Sequence, residues 1–218
     1  MRIAIVGTGI SGLTAAYILN RNNDITVFEK NDYIGGHTHT HTIKDGERSI
    51  AVDSGFIVYN EVAYPNFIKL LDQLGVERQK TTMGFSVKST IKDLEYAGNS
   101  IRTLFAQRRN FFRPSFIMMI WDIIRFNKKA RSDIDTIDPD MTLGQYLSEN
   151  RFSRPFIDNY IIPMGAAIWS TGEEAMLEVP ALFFIRFFNN HGLLQTKNRS
   201  GWWVIKGGSN EYVKKITK

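Results

Sequence analysis

The chain has 218 residues, of which 43% are hydrophobic and 22% are charged, as in an ordinary folded globular protein. This composition excludes a disordered or collagen-like chain, and the absence of cysteine excludes disulfide bonds, cysteine-bound metal sites and cysteine nucleophiles. The net charge of +5 comes without a lysine-rich arm, so nucleic acid is not an expected partner.

The N-terminal segment has the pattern of a strand, a helix and a second strand. Residues 2–6 predict a short buried strand, residues 13–20 predict a helix, and Asp24–Glu29 predicts a second strand. Together they predict a βαβ unit that begins a Rossmann-like α/β fold. The apolar run before Gly7 is too short for a signal peptide, and no apolar run could span a bilayer, so we expect a cytoplasmic protein.

The turn between the first strand and the helix carries a G-x-G-x-x-G motif at residues 7–12. In such a motif Gly7 permits the tight turn, Gly9 lets a pyrophosphate approach the backbone, and Gly12 allows close packing of helix on strand. The helix N-terminus offers N–H groups and partial positive charge to phosphates. Glu29, at the end of the second strand, can accept hydrogen bonds from a ribose, and its charge disfavours the 2′-phosphate of NADP.

A second glycine pair follows the predicted second strand. Gly35 and Gly36 expose backbone N–H groups and tolerate positive φ, and His37 and Thr38 come directly after them. On spacing alone, the pair is either an ordinary turn or a second contact to a long dinucleotide.

Residues 61–200 are predicted to be mainly helical, because proline and glycine punctuate apolar residues at helical spacing. In the longest of these helices, one apolar face is expected to hold Phe116, Ile120, Ile123 and Ile124. The predicted domains are a dinucleotide-binding start over 1–60, a helical substrate or cap region over 61–200, and a return to the first domain over 201–218. The predicted helices are Pro65–Leu74, one capped by Asn99 or Ser100, one from Pro114 to about Lys129, one with a Thr142/Gln145 capping box, and Ala181–Asn190.

Several motifs together resemble the flavin-containing amine oxidoreductase superfamily, which includes amine oxidases, protoporphyrinogen oxidase and carotenoid desaturases. Residues 7–12, Glu29 and the Gly35-Gly36 pair are similar to its N-terminal FAD fingerprint. Further stretches resemble a bacterial-type subgroup of predicted NAD/FAD-binding proteins. These stretches are residues 35–40, 53–60, 163–170, 190–194 and 207–209.

The resemblance implies FAD as the cofactor and assigns roles to individual residues. The implied pyrophosphate contacts are Gly7, Gly9, Ser11 and Gly12. Glu29 would hold the adenosine ribose with Lys30 beside the adenine. The implied contacts to the ribityl and pyrophosphate region are Gly35, Gly36, His37 and Thr38, and those to the isoalloxazine are Gly55 and Phe56.

The chain departs from the superfamily pattern in two ways. His37 stands where most members have arginine after the paired glycines, and a neutral imidazole neutralises less phosphate charge. The superfamily also has a C-terminal segment with a second flavin contact, so we expect an incomplete fold here. The implied activity is FAD-dependent oxidation of a small amine or lipid-like substrate. The alternative is a truncated, inert nucleotide-binding fragment that needs the missing half.

Weaker patterns leave alternatives open, and no catalytic residue or protein partner is predicted. His37, His39 and His41 alternate, but the FAD assignment already uses His37, so no metal site is expected. Asp53 is either a general base or, more simply, a residue that orients the Gly55 turn. Residues 101–131 hold eight basic residues and a single acid, which indicates either a membrane-surface face or a solvated helix face.

Overall fold

A computed structural model describes residues 1–195 and 201–218. These residues form two compact units. The nucleotide-binding unit contains residues 1–83 and 201–218, and the helical unit contains residues 84–195. The structure thus groups residues 61–83 with the nucleotide-binding unit, whereas the sequence suggested that they belong to the helical region.

The described residues contain strands and helices in both units. The strands are β1 (Arg2–Val6), β2 (Asp24–Phe28), β3 (Thr40–Asp45), β4 (Arg48–Asp53), β5 (Tyr59–Asn60), β6 (Arg78–Thr81), β7 (Ser86–Ser89), β8 (Leu94–Ala97) and β9 (Trp202–Ile205). The α-helices are α1 (Ile10–Leu19), α2 (Pro65–Gln73), α3 (Ile101–Leu104), α4 (Pro114–Asp133), α5 (Leu143–Glu149), α6 (Arg154–Phe156), α7 (Ile162–Trp169), α8 (Glu173–Leu177), α9 (Ala181–Asn190) and α10 (Asn210–Ile216). A 3₁₀ helix covers Arg108–Phe112, and a π-helical turn covers Ile157–Ile161.

The βαβ start has the predicted form. β1 and β2 pair in parallel, in a register that runs from Arg2 opposite Asp24 to Val6 opposite Phe28. The predicted helix start at residue 13 was wrong, because Gly9 is the N-cap and α1 begins at Ile10. The helix therefore starts inside the glycine motif, which brings its N-terminus to the end of β1.

Two other sheets of this unit were not predicted from the sequence. β3 and β4 form an antiparallel hairpin whose last pair is Asp45 and Arg48. An Asp45-Gly46 turn between alternating residues was the available signal for this hairpin. A second sheet has the order β5–β9–β6. Tyr59 of β5 lies opposite Trp203 of β9, and no local sequence pattern predicts a pairing between residues so far apart in the chain.

The core of the nucleotide-binding unit joins its first and last segments. Leu13 of α1 and Leu71 of α2 are buried in one cluster with Ile205 of β9 and with Tyr212 and Val213 of α10. Residues 201–218 thus pack in the same unit as the glycine motif. Every helix in the described part of the chain is too short or too polar to cross a membrane.

The helical unit is built around α4 and a dense aromatic core. α4 ends at Asp133 rather than near Lys129, and its buried apolar residues are Phe116, Met119, Phe126 and Ala130. The predicted apolar face was partly wrong, because Ile124 is exposed. Phe126 contacts the rings of four buried aromatic residues. These are Tyr146, Phe152, Phe156 and Phe184.

Local capping signals in the helical unit are confirmed. Ser100 caps α3, and Thr142 and Gln145 form the predicted reciprocal box at the start of α5. α9 spans Ala181–Asn190 as predicted, and Gly192 beyond its end has a φ of 68°. The region is nevertheless not purely helical, because β7 and β8 form an antiparallel hairpin within it.

Candidate dinucleotide-binding site

A cavity of about 550 Å³ opens at the end of β1 in the nucleotide-binding unit. Backbone from two glycine-rich loops forms one side of it, and aromatic side chains form another. Nine of the twelve predicted cofactor-binding residues line this cavity. They are Gly7, Gly9, Ser11, Gly12, Gly35, Gly36, His37, Thr38 and Phe56.

The glycines of the first loop have distinct steric roles. A Cβ on Gly12 would lie 2.0 Å from the carbonyl oxygen of Gly7, so only glycine fits where α1 crosses β1. A Cβ on Gly9 would meet no atom within 4 Å. Gly9 therefore borders open space beside the helix N-terminus, where a bound group can approach the backbone.

The second glycine loop packs directly on the first. A Cβ on Gly36 would lie 2.9 Å from the Cα of Gly9, and Gly36 has a φ of 61°. The N–H of Gly35 donates to the carbonyl oxygen of Thr8 at 3.1 Å. The two loops thus form one continuous backbone surface, and the start of α1 directs its first N–H groups and positive dipole end towards it.

Glu29 is tied to both of its neighbouring loops. One carboxylate oxygen accepts the N–H groups of Lys30 at 2.7 Å and of Asn31 at 2.9 Å, and the other accepts the N–H of Thr8 at 2.9 Å and its hydroxyl. The hydrogen bond from the Asn31 backbone and those from Thr8 lower the pKa of Glu29 to about 2. Glu29 is therefore a carboxylate at neutral pH. It is not among the residues that line the cavity.

Lys30 and Gly55 also lie outside the cavity lining. Lys30 is exposed, and its backbone is the part that contacts Glu29. A Cβ on Gly55 would lie 2.1 Å from the carbonyl oxygen of His37, which explains glycine at this position by close backbone packing. The next residue, Phe56, donates its N–H to that same oxygen at 2.9 Å and places its ring at the cavity.

Of the aromatic residues at the cavity, only Phe56 was predicted from the sequence. Phe67 stacks edge-on against Phe56 at 5.3 Å and against Tyr212 at 5.5 Å between ring centroids. The Tyr212 hydroxyl lies 2.7 Å from the hydroxyl of Thr38, and burial raises the pKa of Tyr212. Tyr64 completes this wall, and no local pattern could place residues 64, 67 and 212 together.

The histidine and aspartate candidates do not form a reactive site. The ring of His39 packs against those of Tyr33 and His41 at 4.4 and 4.2 Å. Within residues 1–195 and 201–218, no three His, Asp or Glu side chains are placed to hold a metal ion. Asp53 accepts the N–H and hydroxyl of Ser209, so it anchors the segment before α10 rather than the Gly55 turn.

Comparison with known proteins agrees with this geometry. Residues 5–74 match the family model of the NAD(P)-binding Rossmann-like domain. A tryptophan 2-monooxygenase from Allorhizobium ampelinum is 39% identical over 77 residues, which cover 34% of this chain and 10% of that protein. The matched segment is only a small part of that relative.

Solved structures extend the match over the described fold. A cyclohexylamine oxidase from Brevibacterium oxydans is 19% identical with a TM-score of 0.66, over 98% of this chain and 48% of that one. A putrescine oxidase is 20% identical with a TM-score of 0.64, over 100% of this chain and 49% of that one. At this level of identity, the likeness shows that the chain shares its fold with part of each oxidase. The predicted family resemblance and α/β Rossmann-like fold class are confirmed, and the chain spans about half the length of these oxidases.

Proposed function

We propose that the nucleotide-binding unit holds FAD, and that the chain is the cofactor-binding half of an oxidoreductase acting on a small amine or lipid-like substrate. The observation that carries this proposal is the open space at Gly9, beside the N-terminus of α1 and within the glycine-lined cavity. A dinucleotide pyrophosphate is the chemical group that such a cradle accommodates. The flavin amine oxidase fold favours FAD over a nicotinamide dinucleotide.

Within this proposal, the first glycine loop and Ser11 bind the pyrophosphate through backbone N–H groups and a hydroxyl. Glu29 binds the adenosine ribose. Because donors already occupy all four acceptor positions of its carboxylate, a ribose hydroxyl would bind by replacing the Thr8 hydroxyl. Lys30 lies beside the adenine. Because Lys30 is exposed, this side of the site is open to water.

The second glycine loop and the aromatic wall bind the remainder of the cofactor. Gly35, Gly36, His37 and Thr38 contact the ribityl and pyrophosphate region, and the Thr38 hydroxyl is held in place by Tyr212. Gly55 packs closely on His37 and positions Phe56, whose ring would border the isoalloxazine. Bound FAD would supply the hydride acceptor for oxidation of a substrate C–H bond.

Retention of FAD by the purified chain tests the cofactor assignment. Protein mixed with FAD and then freed of excess should retain about one flavin per chain, visible in its absorption bands near roughly 370 and 450 nm. Gly9→Leu should abolish retention, because the new side chain fills the open space. Gly172→Leu is the matched control, since Gly172 is also an extended N-cap where an added Cβ would meet no atom within 4 Å. Equal retention by both variants would exclude the Gly9 cradle.

The role of Glu29 makes a separate prediction for FAD affinity. Glu29→Gln should weaken binding about tenfold, because it removes the charge-assisted hydrogen bonds of the carboxylate. Since the pKa of Glu29 in the folded chain is about 2, its contribution to FAD binding should stay constant through neutral and mildly acidic pH and disappear only as the pH approaches about 2. Flavin fluorescence titrations of both proteins at several pH values measure this. A loss of affinity centred near neutral pH would contradict the assignment.

A second candidate function is binding of the dinucleotide without catalysis. The observation that favours it is that the chain covers 48–49% of the solved oxidases. Anaerobic mixing of the flavin-loaded chain with amines and fatty acyl compounds distinguishes the two. Bleaching of the flavin absorption by one compound class supports the oxidoreductase and names its substrate, whereas retained flavin that no compound bleaches supports the binding-only function.

A further inference from the structure

The start of α4 and the 3₁₀ helix before it expose an unusual amount of apolar surface. Phe112 is 89% exposed and Trp121 is 67% exposed. Large exposed apolar patches on proteins mark contact surfaces, whereas isolated exposed side chains carry no such meaning. We define the apolar platform as Phe111, Phe112, Ile117, Met118 and Trp121, which line one shallow groove.

Helical spacing explains why the platform is continuous. Ile117, Trp121 and Ile124 repeat on one outward stripe of α4, while Phe116 and Met119 are buried on the opposite side. A helix at the surface of a protein ordinarily presents polar residues on its outer face. α4 therefore carries two apolar faces over its first half, and only one of them belongs to the core.

The charges around the platform are positive. Arg108 and Arg113 flank Phe111 and Phe112 along the chain, and Lys128 continues the outward stripe of α4. Among the described residues, no ion pair holds Arg108 or Lys128. The only acid in residues 101–131 is Asp122, which is buried and paired with Arg125 through contacts of 2.8 and 2.9 Å.

The β7–β8 hairpin adds a further apolar residue beside this surface. Asp93 near the hairpin tip pairs with Arg109, and its carbonyl oxygen accepts a hydrogen bond from Arg113 at 2.7 Å. These contacts fix the hairpin tip next to the 3₁₀ helix. Ile91 at that tip is 95% exposed, and Lys92 follows it. The neighbouring carboxylate of Asp93 is thus engaged by arginine.

We propose that the apolar platform docks on an anionic lipid surface. Phe and Trp suit the boundary between headgroups and acyl chains, and unpaired Arg and Lys at its border suit anionic headgroups. The arrangement corresponds to a protein that lies on one leaflet. Charge complementarity favours a lipid surface as the partner, because anionic headgroups supply the dispersed negative charge that the border of the apolar platform lacks.

Co-sedimentation of the full chain with lipid vesicles tests this proposal. The chain should bind vesicles of phosphatidylcholine with about one third phosphatidylglycerol much more than vesicles of phosphatidylcholine alone, and about 0.5 M salt should weaken that binding. Phe112→Ser combined with Trp121→Ser should reduce binding at least about tenfold, because both rings lose their insertion into lipid. Arg108→Glu combined with Lys128→Glu should remove the preference for the anionic lipid.

Phe183→Ser is the matched control, since Phe183 is a 51% exposed phenylalanine on α9, outside the platform. It should leave vesicle binding unchanged, and circular dichroism should show that every variant is folded. Absence of vesicle binding by the unmodified chain would overturn the proposal. Equal binding by the platform variants would also overturn it. A platform-dependent dimer without vesicle binding would show a protein interface instead.

Discussion

In the nucleotide-binding unit, neither β1 nor β2 contains a fully buried residue, and Val6 at the end of β1 is 87% exposed. In the helical unit, Phe126, Phe156 and Phe184 have no exposed surface. The first unit combines close backbone contacts between its glycine loops with an apolar core around Leu71 and Tyr212, whereas the second depends on aromatic side-chain packing. The comparison shows that glycine-loop backbone borders an open cavity in the first unit, while the core of the helical unit is filled by packed rings.

The largest expected effect is in the aromatic core of the helical unit. Phe126→Ala should lower the free energy of unfolding by about 4 kcal/mol, because it leaves a cavity among four packed rings. Urea unfolding followed by circular dichroism measures this. Phe183→Ala, at an exposed site of the same unit, is the control and should cost far less. Similar losses in the two variants would show that the aromatic core does not dominate the stability of this unit.

The next effect is in the glycine loop. Gly12→Ala should cost about 3 kcal/mol, because a Cβ at 2.0 Å from the Gly7 oxygen forces apart the helix and the strand. Gly172→Ala adds the same methyl group where no atom lies within 4 Å and should cost far less, about 1 kcal/mol at most, for the poorer helix cap. The comparison uses the same unfolding measurement, and an unchanged Gly12→Ala protein would refute the close contact.

A smaller effect is expected where α10 meets the second glycine loop. Tyr212→Phe should cost about 1 kcal/mol, because it removes a buried hydrogen bond to Thr38. Burial raises the pKa of Tyr212, so the tyrosine favours folding below its unfolded pKa, near 10, and loses this contribution as the pH rises further. The advantage of the unmodified chain should therefore shrink in alkaline solution. Tyr33→Phe, at an exposed site, is the control. A cost that is independent of alkaline pH would argue against this linkage.

Local signals predicted the parts of the fold that depend on neighbouring residues. The βαβ order, the α2 and α9 helices and the Thr142/Gln145 box follow from spacing within a few residues. The β5–β9 pairing could not be predicted in this way, since Tyr59 and Trp203 meet only through tertiary packing. The membrane-surface alternative for residues 101–131 stays a prediction, and the charge count alone did not show that Trp121 is exposed.

The residues of the candidate site also divide into those that a local motif predicts and those that only tertiary packing brings together. The glycines of residues 7–12 were identifiable because their spacing forms one motif, and the Gly12 contact with Gly7 shows the close packing that this motif requires. Phe67 and Tyr212 were not identifiable, because an aromatic residue at helical spacing is equally typical of a core. Asp53 illustrates the opposite error, since its place beside the Gly55 motif suggested a role there and its carboxylate instead binds Ser209.

Amide hydrogen exchange with and without FAD tests most directly whether the two units differ in function. FAD should slow exchange in residues 7–12 and 35–38, because these backbone groups border the cavity, and should leave the α4, α5 and α9 amides unchanged. The same experiment with Gly9→Leu should show no protection. Protection confined to the helical unit, or none in the glycine loops of a chain that retains FAD, would contradict the account.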